Sequence, residues 1–333
     1  GPHLQDATTA AAAVLQDKAP LLQLAGAEAL GHLGHAAAPQ LETACEVAAS
    51  HLLHDSAKIR RASGNAFRAL GVAAAARAEE VAALLRDDDL LVQCAGAAAV
   101  GGLGQVAPSL LKEAGEVASA GLRNPEASIR IAGVSALGGV GEPAWQYAEE
   151  ARKVAAAELQ QGSVAARVAA AEALGWIGVP AIPELDAANR VAASALHDGE
   201  PHSRIAAARA LGRLRGAAVV LEQAACDVAA AELTNEDWAL RAEAAQALVD
   251  LGPVATRYAG ELALCLKDRK GQLSAIWAEL VWGILLLPCG TLTGRRGRRP
   301  PRPWRPWATP RPRSCPSAPC ATREGACALP GED

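Results

Sequence analysis

A phrase of about twelve residues returns every 37 residues, and no other feature of the chain restricts its fold as tightly. RVAAAEALGWIG, Arg167 to Gly178, recurs as LAGAEALGHLG ending at Gly34, RASGNAFRALG ending at Gly71 and CAGAAAVGGLG ending at Gly104. It continues as IAGVSALGGVG ending at Gly141, IAAARALGRLR ending at Arg215 and AEAAQALVDLG ending at Gly252. The endpoints lie 37, 33, 37, 37, 37 and 37 residues apart. The short interval lacks four residues, about one helical turn, so it shortens a helix without rotating the faces that follow.

Within the phrase the columns obey helical spacing. Ala29, Ala66, Ala99, Ala136, Ala173, Ala210 and Ala247 share one position, each followed by Leu, Phe or Val. Three residues further on stand Leu33, Leu70, Leu103, Val140, Ile177, Leu214 and Leu251. Such spacing lines one face of a helix, and the always-small column lets a neighbouring backbone approach closely. A second helix precedes each of these. Its fixed point is Leu15, Leu52, Leu85, Leu122, Leu159, Leu196, Leu233 and Leu266, often with Val five residues earlier. His54-Asp55, Asn124-Pro125, Asp198-Gly199 and Asn235-Glu236 then follow, residues suited to ending one helix and capping the next. Pro39, Pro108, Pro143, Pro180 and Pro253 sit where a helix start tolerates proline. Each unit therefore reads helix, turn, helix. Composition agrees: aromatic residues are 3% of the chain, too few to furnish a large sheet.

These residues resemble HEAT repeats, in particular the short HEAT-like class found in bilin lyases and deoxyhypusine hydroxylases. The resemblance spans Asp6 to about Leu287 and implies an all-α solenoid of about eight helical hairpins. It also implies an Arg near the start of each second helix that braces the turn within the repeat. Arg60, Arg130, Arg167, Arg204 and Arg241 match it, whereas Gln23 and Gln93 depart from it. The eighth unit is degenerate: Leu280 stands in the small column and Leu285 replaces the final Gly. Residues 1–5 read as an N-terminal extension, 6–287 as the solenoid and 288–333 as a disordered Arg/Pro-rich tail. The chain begins Gly1-Pro2-His3 and contains no Met, which predicts a fragment or a processed product.

Charge divides at the same boundary. From Thr291 onward nine Arg face Glu324, Glu332 and Asp333, a balance of +6, so with a total of −4 the preceding residues carry −10. Clustered Arg with Trp304 and Trp307 suits an electrostatic footprint for nucleic acid or an acidic partner. The same stretch fits a polyproline-type ligand, and it also fits a non-native read-through of GC-rich DNA. Nucleic acid is thus an expected partner only if this tail is native. No secretory signal and no membrane-length apolar run is present, so a cytoplasmic, monomeric protein without membrane contact is expected.

Candidate chemistry is thin. His32 and His35, and His51 and His54, are spaced to share a helical face, but the two pairs belong to opposite ends of one helix, about 24 Å apart. The chain contains no His-Glu dipeptide of the kind deoxyhypusine hydroxylases carry. Cys45, Cys94, Cys226 and Cys265 are scattered singly, and Cys315, Cys320 and Cys327 lack paired spacing for zinc. No catalytic, cofactor or metal residue is assigned. The expectation is a non-catalytic protein-binding scaffold, with a HEAT-like enzyme, bilin lyase-like or hydroxylase-like, as the alternative.

A docking surface is expected where packing does not choose the residue. In the second helices one variable column runs Glu28, Asn65, Ala98, Ser135, Glu172, Arg209 and Gln246. Another, four residues on, runs His32, Ala69, Gly102, Gly139, Trp176, Arg213 and Asp250. The resemblance implies that second helices line a concave face. The partner-binding stripe predicted there is Glu172, Trp176, Arg209, Arg213, Gln246 and Asp250, Trp and Arg being the types richest in interface hot spots.

Overall fold

The computed structural model describes Thr8, Thr9 and residues 11–104, 106–214 and 219–258. The expected N-terminal extension (1–5), the eighth unit and the basic tail lie outside these residues. The described part is helical, with no strand among the described residues. Its α-helices are α1 (Pro20–Leu33), α2 (Ala38–Ser50), α3 (Ala57–Leu70), α4 (Ala78–Ala82), α5 (Leu90–Gly102), α6 (Pro108–Gly121) and α7 (Ala127–Val140). They continue as α8 (Ala148–Gln161), α9 (Val164–Ile177), α10 (Leu185–Ala195), α11 (Pro201–Leu214), α12 (Val219–Glu232) and α13 (Trp238–Leu251). Odd-numbered helices are the second helices of their units. Together they form an all-α solenoid of stacked helix pairs.

The predicted columns form the core. Every Ala of the small column is at most 2% exposed, and Leu15, Leu52, Leu85, Leu122, Leu159, Leu196 and Leu233 are at most 4% exposed. One hairpin has no second layer to cover these faces, so burial depends on stacking. Each odd helix except α5 and α11 is followed directly by a glycine of its endpoint column at positive φ, such as Gly34 at 54° and Gly178 at 74°. Glycine reaches that backbone conformation at little cost, whereas an L side chain would strain it.

The interval of 33 residues shortens a first helix, as its length requires. In the third unit α4 has only five residues and passes into the 3-10 turn Ala83–Arg86, yet Leu85 stays buried. Proline placement is more varied than expected. Pro39 and Pro108 open α-helices, while Pro143, Pro180 and Pro253 lie in the 3-10 segments Glu142–Tyr147, Val179–Glu184 and Gly252–Tyr258. A tight 3-10 turn leads the chain out of the odd helix before an α-helix follows.

The turn within each unit uses one repeated device. Asp17, His54, Asp87, Asn124, Asp198 and Asn235 each accept from the backbone N–H two residues on, at 2.8–3.0 Å. The carbonyl of the same residue then accepts from a side chain six residues later: Arg60, Arg130, Arg204 and Arg241 at 2.8–2.9 Å. Gln23 and Gln93 keep this bond at 2.7 and 2.6 Å, so the departure from Arg shortens the brace without abolishing it. The arginines also reach an acid of the next unit, Arg60 to Asp87, Arg130 to Glu158 and Arg204 to Glu232. Glu158 and Glu232 are each 7% exposed, burial that a carboxylate tolerates when paired in this way.

The fifth unit lacks the Asp, Asn or His of the turn and the paired acid. Its turn residue is Gln161, and 28 residues after Arg167 stands Ala195 where Arg130 and Arg204 find glutamate. Arg167 Nε is accordingly buried without a hydrogen-bond partner.

Candidate functional site

Curvature of the stack follows from where its layers touch. Successive odd helices pack against one another, whereas even helices meet mainly the odd helices beside them. The closest approaches lie near the C-terminal ends of the odd helices, at a glycine column. A Cβ built on Gly31 would fall 2.5 Å from the Ala69 carbonyl carbon, and one on Gly138 would fall 2.7 Å from the Trp176 carbonyl oxygen. For Gly175 and Gly212 the clash is with the Arg213 and Asp250 backbones, at 3.0 and 2.6 Å. Drawing one layer together while the other stays spread puts the odd helices on the inner side, and with them the variable columns.

Those columns meet as a charged network. Arg209 donates from Nε and Nη2 to Glu172 at 3.2 and 3.0 Å. Arg213 donates from Nη1 to the other Glu172 oxygen at 2.7 Å, and from Nε and Nη2 to Asp250 at 3.0 and 2.9 Å. Charge therefore alternates across three consecutive units, with Glu172, Arg213 and Asp250 side chains only 15%, 17% and 16% exposed. Burial by itself would lower the Arg209 pKa; the neighbouring Glu172 and Asp250 carboxylates outweigh it and hold the group above its ordinary value. Gln246 is half-buried in the same column and takes no part in these ion pairs.

Trp176 ties this network to the other end of the stack. The Arg213 guanidinium carbon stands 4.5 Å from the centre of its ring. So does that of Arg68, at 4.7 Å, although Arg68 belongs to α3, three units earlier. Such geometry is a cation–π contact. Arg68 was not among the residues predicted from the sequence. The signal that could have found it is a broken column: the position holds Gly31, Gly101, Gly138, Gly175 and Gly212, with Val249 in the seventh unit and a charged residue, Arg68, only in the second. The next unit makes room for it. A Cβ on Gly102 would come within 3.1 Å of the Arg68 carbonyl oxygen and 3.4 Å of its Cγ.

Glu28 in α1 completes the inner face. Burial would raise its pKa, but His32, 3.9 Å away, with Arg68 and Arg213, holds it below the usual carboxylate range. Arg68 is shifted downward, first by burial and then by the like charge of Arg213.

Elsewhere His51 and His54 are held by protein groups. His51 hydrogen-bonds Gln23 Oε1 at 2.7 Å, and His54 Nδ1 accepts from the Ser56 N–H. Among the described residues no three His, Cys, Asp or Glu side chains gather as metal ligands would. Burial pushes the thiols of Cys45, Cys94 and Cys226 up to about 11, about 12 and about 12, which keeps them protonated at neutral pH. Among the described residues no helix is long and apolar enough to cross a membrane.

No protein-family model and no curated protein matches the chain. Solved structures do resemble it. An engineered protein is 18% identical over 62% of this chain and 96% of its own, with a TM-score of 0.34. Human deoxyhypusine hydroxylase, solved with glycerol, is 19% identical over 86% of this chain and 99% of its own, at 0.37. Kap121p is 13% identical over 84% of this chain and 37% of its own, at 0.31. Likenesses this distant carry nothing about activity. On its own geometry the chain is an all-α helical-repeat protein.

Proposed function

We propose that the chain is a non-catalytic scaffold that binds a protein partner along the inner face of its odd helices. The docking stripe is Glu172, Trp176, Arg209, Arg213, Gln246 and Asp250. The observation that carries this reading is the concentration of charge and of one large aromatic ring at positions the core does not need, on the inner side of the stack. The core columns repeat with apolar residues in the first seven units, while these positions change from unit to unit. Arg and Trp placed together in a half-buried setting offer a partner both a flat apolar surface and directional hydrogen bonds.

Affinity capture with the immobilised full chain tests the proposal, followed by binding measurements on Trp176→Ala and Arg213→Ala. Each substitution is expected to weaken a captured protein about tenfold or more, the scale of a hot-spot residue. Unchanged affinity with the helical array still folded would place the docking surface elsewhere. Stoichiometric iron, or a covalently transferred chromophore, would favour an enzyme instead.

A further inference from the structure

Among the arginines of the inner face, Arg68 stands apart. Arg209 is neutralised by Glu172, and Arg213 by Glu172 together with Asp250. Arg68 has no carboxylate within ion-pair distance among the described residues. It is half-buried, its guanidinium lies against Trp176, and the largest charge effect on it comes from another cation, Arg213, ahead of the carboxylates Glu28, Glu172 and Asp250, none of which pairs with it. A half-buried cation beside a like charge gains from an anion that joins it. The cation–π contact uses the ring-facing side of the guanidinium and leaves its edge, with the in-plane N–H donors, without a protein acceptor among the described residues.

We infer that Arg68 and Trp176 together form the acceptor site for an acidic side chain, Asp or Glu, of an extended segment of the protein partner. The inference rests on the scaffold reading and gives its partner a chemical class. Charge on the surrounding face decides between a carboxylate and a polyanion. Glu28, Glu172 and Asp250 all act on Arg68 through space, so a run of phosphates would meet repulsion on several sides. A single carboxylate needs only the one open guanidinium, which can hold it in bidentate fashion. The remaining positions of the segment would run along the inner face beside Arg213 and Asp250.

The experiment is selection of peptides from a random display library on the immobilised full chain, followed by affinity measurement with the selected peptides synthesised as C-terminal amides. The expected result is peptides that share an Asp or Glu. Its replacement by Asn or Gln should cost about tenfold or more, as loss of one partner of a desolvated charge pair does. Arg68→Gln should cost the same, and the two changes together should cost little more than either. Arg68→Lys, which keeps the charge but not the flat fork, should restore part of the loss. Circular dichroism and thermal melting of both variants show that the array stands.

Selected peptides without an acidic residue overturn the inference, as does affinity that Arg68→Gln leaves within twofold. So does binding that requires a free C-terminal carboxylate, or tighter binding of a single-stranded oligonucleotide in place of peptides. If the peptides respond to Trp176→Ala but not to Arg68→Gln, the acidic class fails and the scaffold reading stands. If no peptide is retained and no protein is captured, both fail.

Discussion

The guanidinium of Arg68 lies 4.7 Å from the ring centre of Trp176, a contact that joins the second unit to the fifth across the inner face. Neighbour-to-neighbour packing alone would make each unit blind to all but the adjacent ones. This contact, with the field of Arg68 and Arg213 on Glu28, makes the curvature of the described units a shared property.

A double-mutant cycle measures the contact. Arg68→Ala and Trp176→Ala should show a coupling of about 0.5–1 kcal/mol in urea unfolding, the range for a cation–π pair that retains some solvent. Zero coupling would mean that the two side chains are neighbours without an energetic link. The Trp176 emission should also change on Arg68→Ala, because the ring loses a stacked cation.

Gly138→Ala is expected to destabilise the array by about 1–3 kcal/mol, the usual cost of overpacking. In an exposed helix the same change would gain about 1 kcal/mol from helix propensity. Here the added methyl would sit 2.7 Å from the backbone of Trp176, which has no flexible end to give way. Thermal unfolding decides the sign, and stabilisation would show that α7 and α9 can separate freely.

Ala195→Glu should stabilise the fifth and sixth units. The new carboxylate falls at the register that Glu158 and Glu232 occupy toward Arg130 and Arg204, and it faces the unpartnered Arg167 Nε. A gain of about 1 kcal/mol is expected, that of a hydrogen bond to a charged group less the side-chain entropy of ordering Glu. Ala195→Gln should recover less. Equal gains from both would assign the effect to packing rather than charge.

Acid should weaken the second turn through Asp87. The hydrogen bond from Arg60 holds the Asp87 carboxyl below its ordinary value in the folded chain. A depressed folded pKa contributes stability that is fully present above the unfolded value, about 3.9, and is lost as pH falls through the folded value. Asp87→Asn keeps an acceptor for the Asp89 N–H but removes the charge. The variant is expected to be less stable than the parent at pH 7 and to close that gap as pH falls below about 4 and through the depressed folded value. Parallel acid-unfolding curves for the two proteins would show that the Arg60 pair carries no net stability.

Much of this could be read along the chain because it is local and repeated. The 37-residue period and the Ala and Leu columns state helix, turn and buried face, and in the seven units among the described residues each was found where expected. Repetition made the reading firm, since a column confirmed in seven units is not an accident of composition. Even the missing four residues of the third unit appear as a missing turn of α4. The positions Glu172, Trp176, Arg209, Arg213, Gln246 and Asp250 were legible as members of columns that vary from unit to unit. That Arg213 holds both Glu172 and Asp250 was not, because partners 37 and 41 residues apart meet only once the stacking angle is set. Arg68 was hidden more deeply still. Its meeting with Trp176 depends on how tightly the glycine columns let successive odd helices close, and that sum over several interfaces exists only in the folded stack. Local sequence determined the unit; the accumulated curvature decided which units face one another.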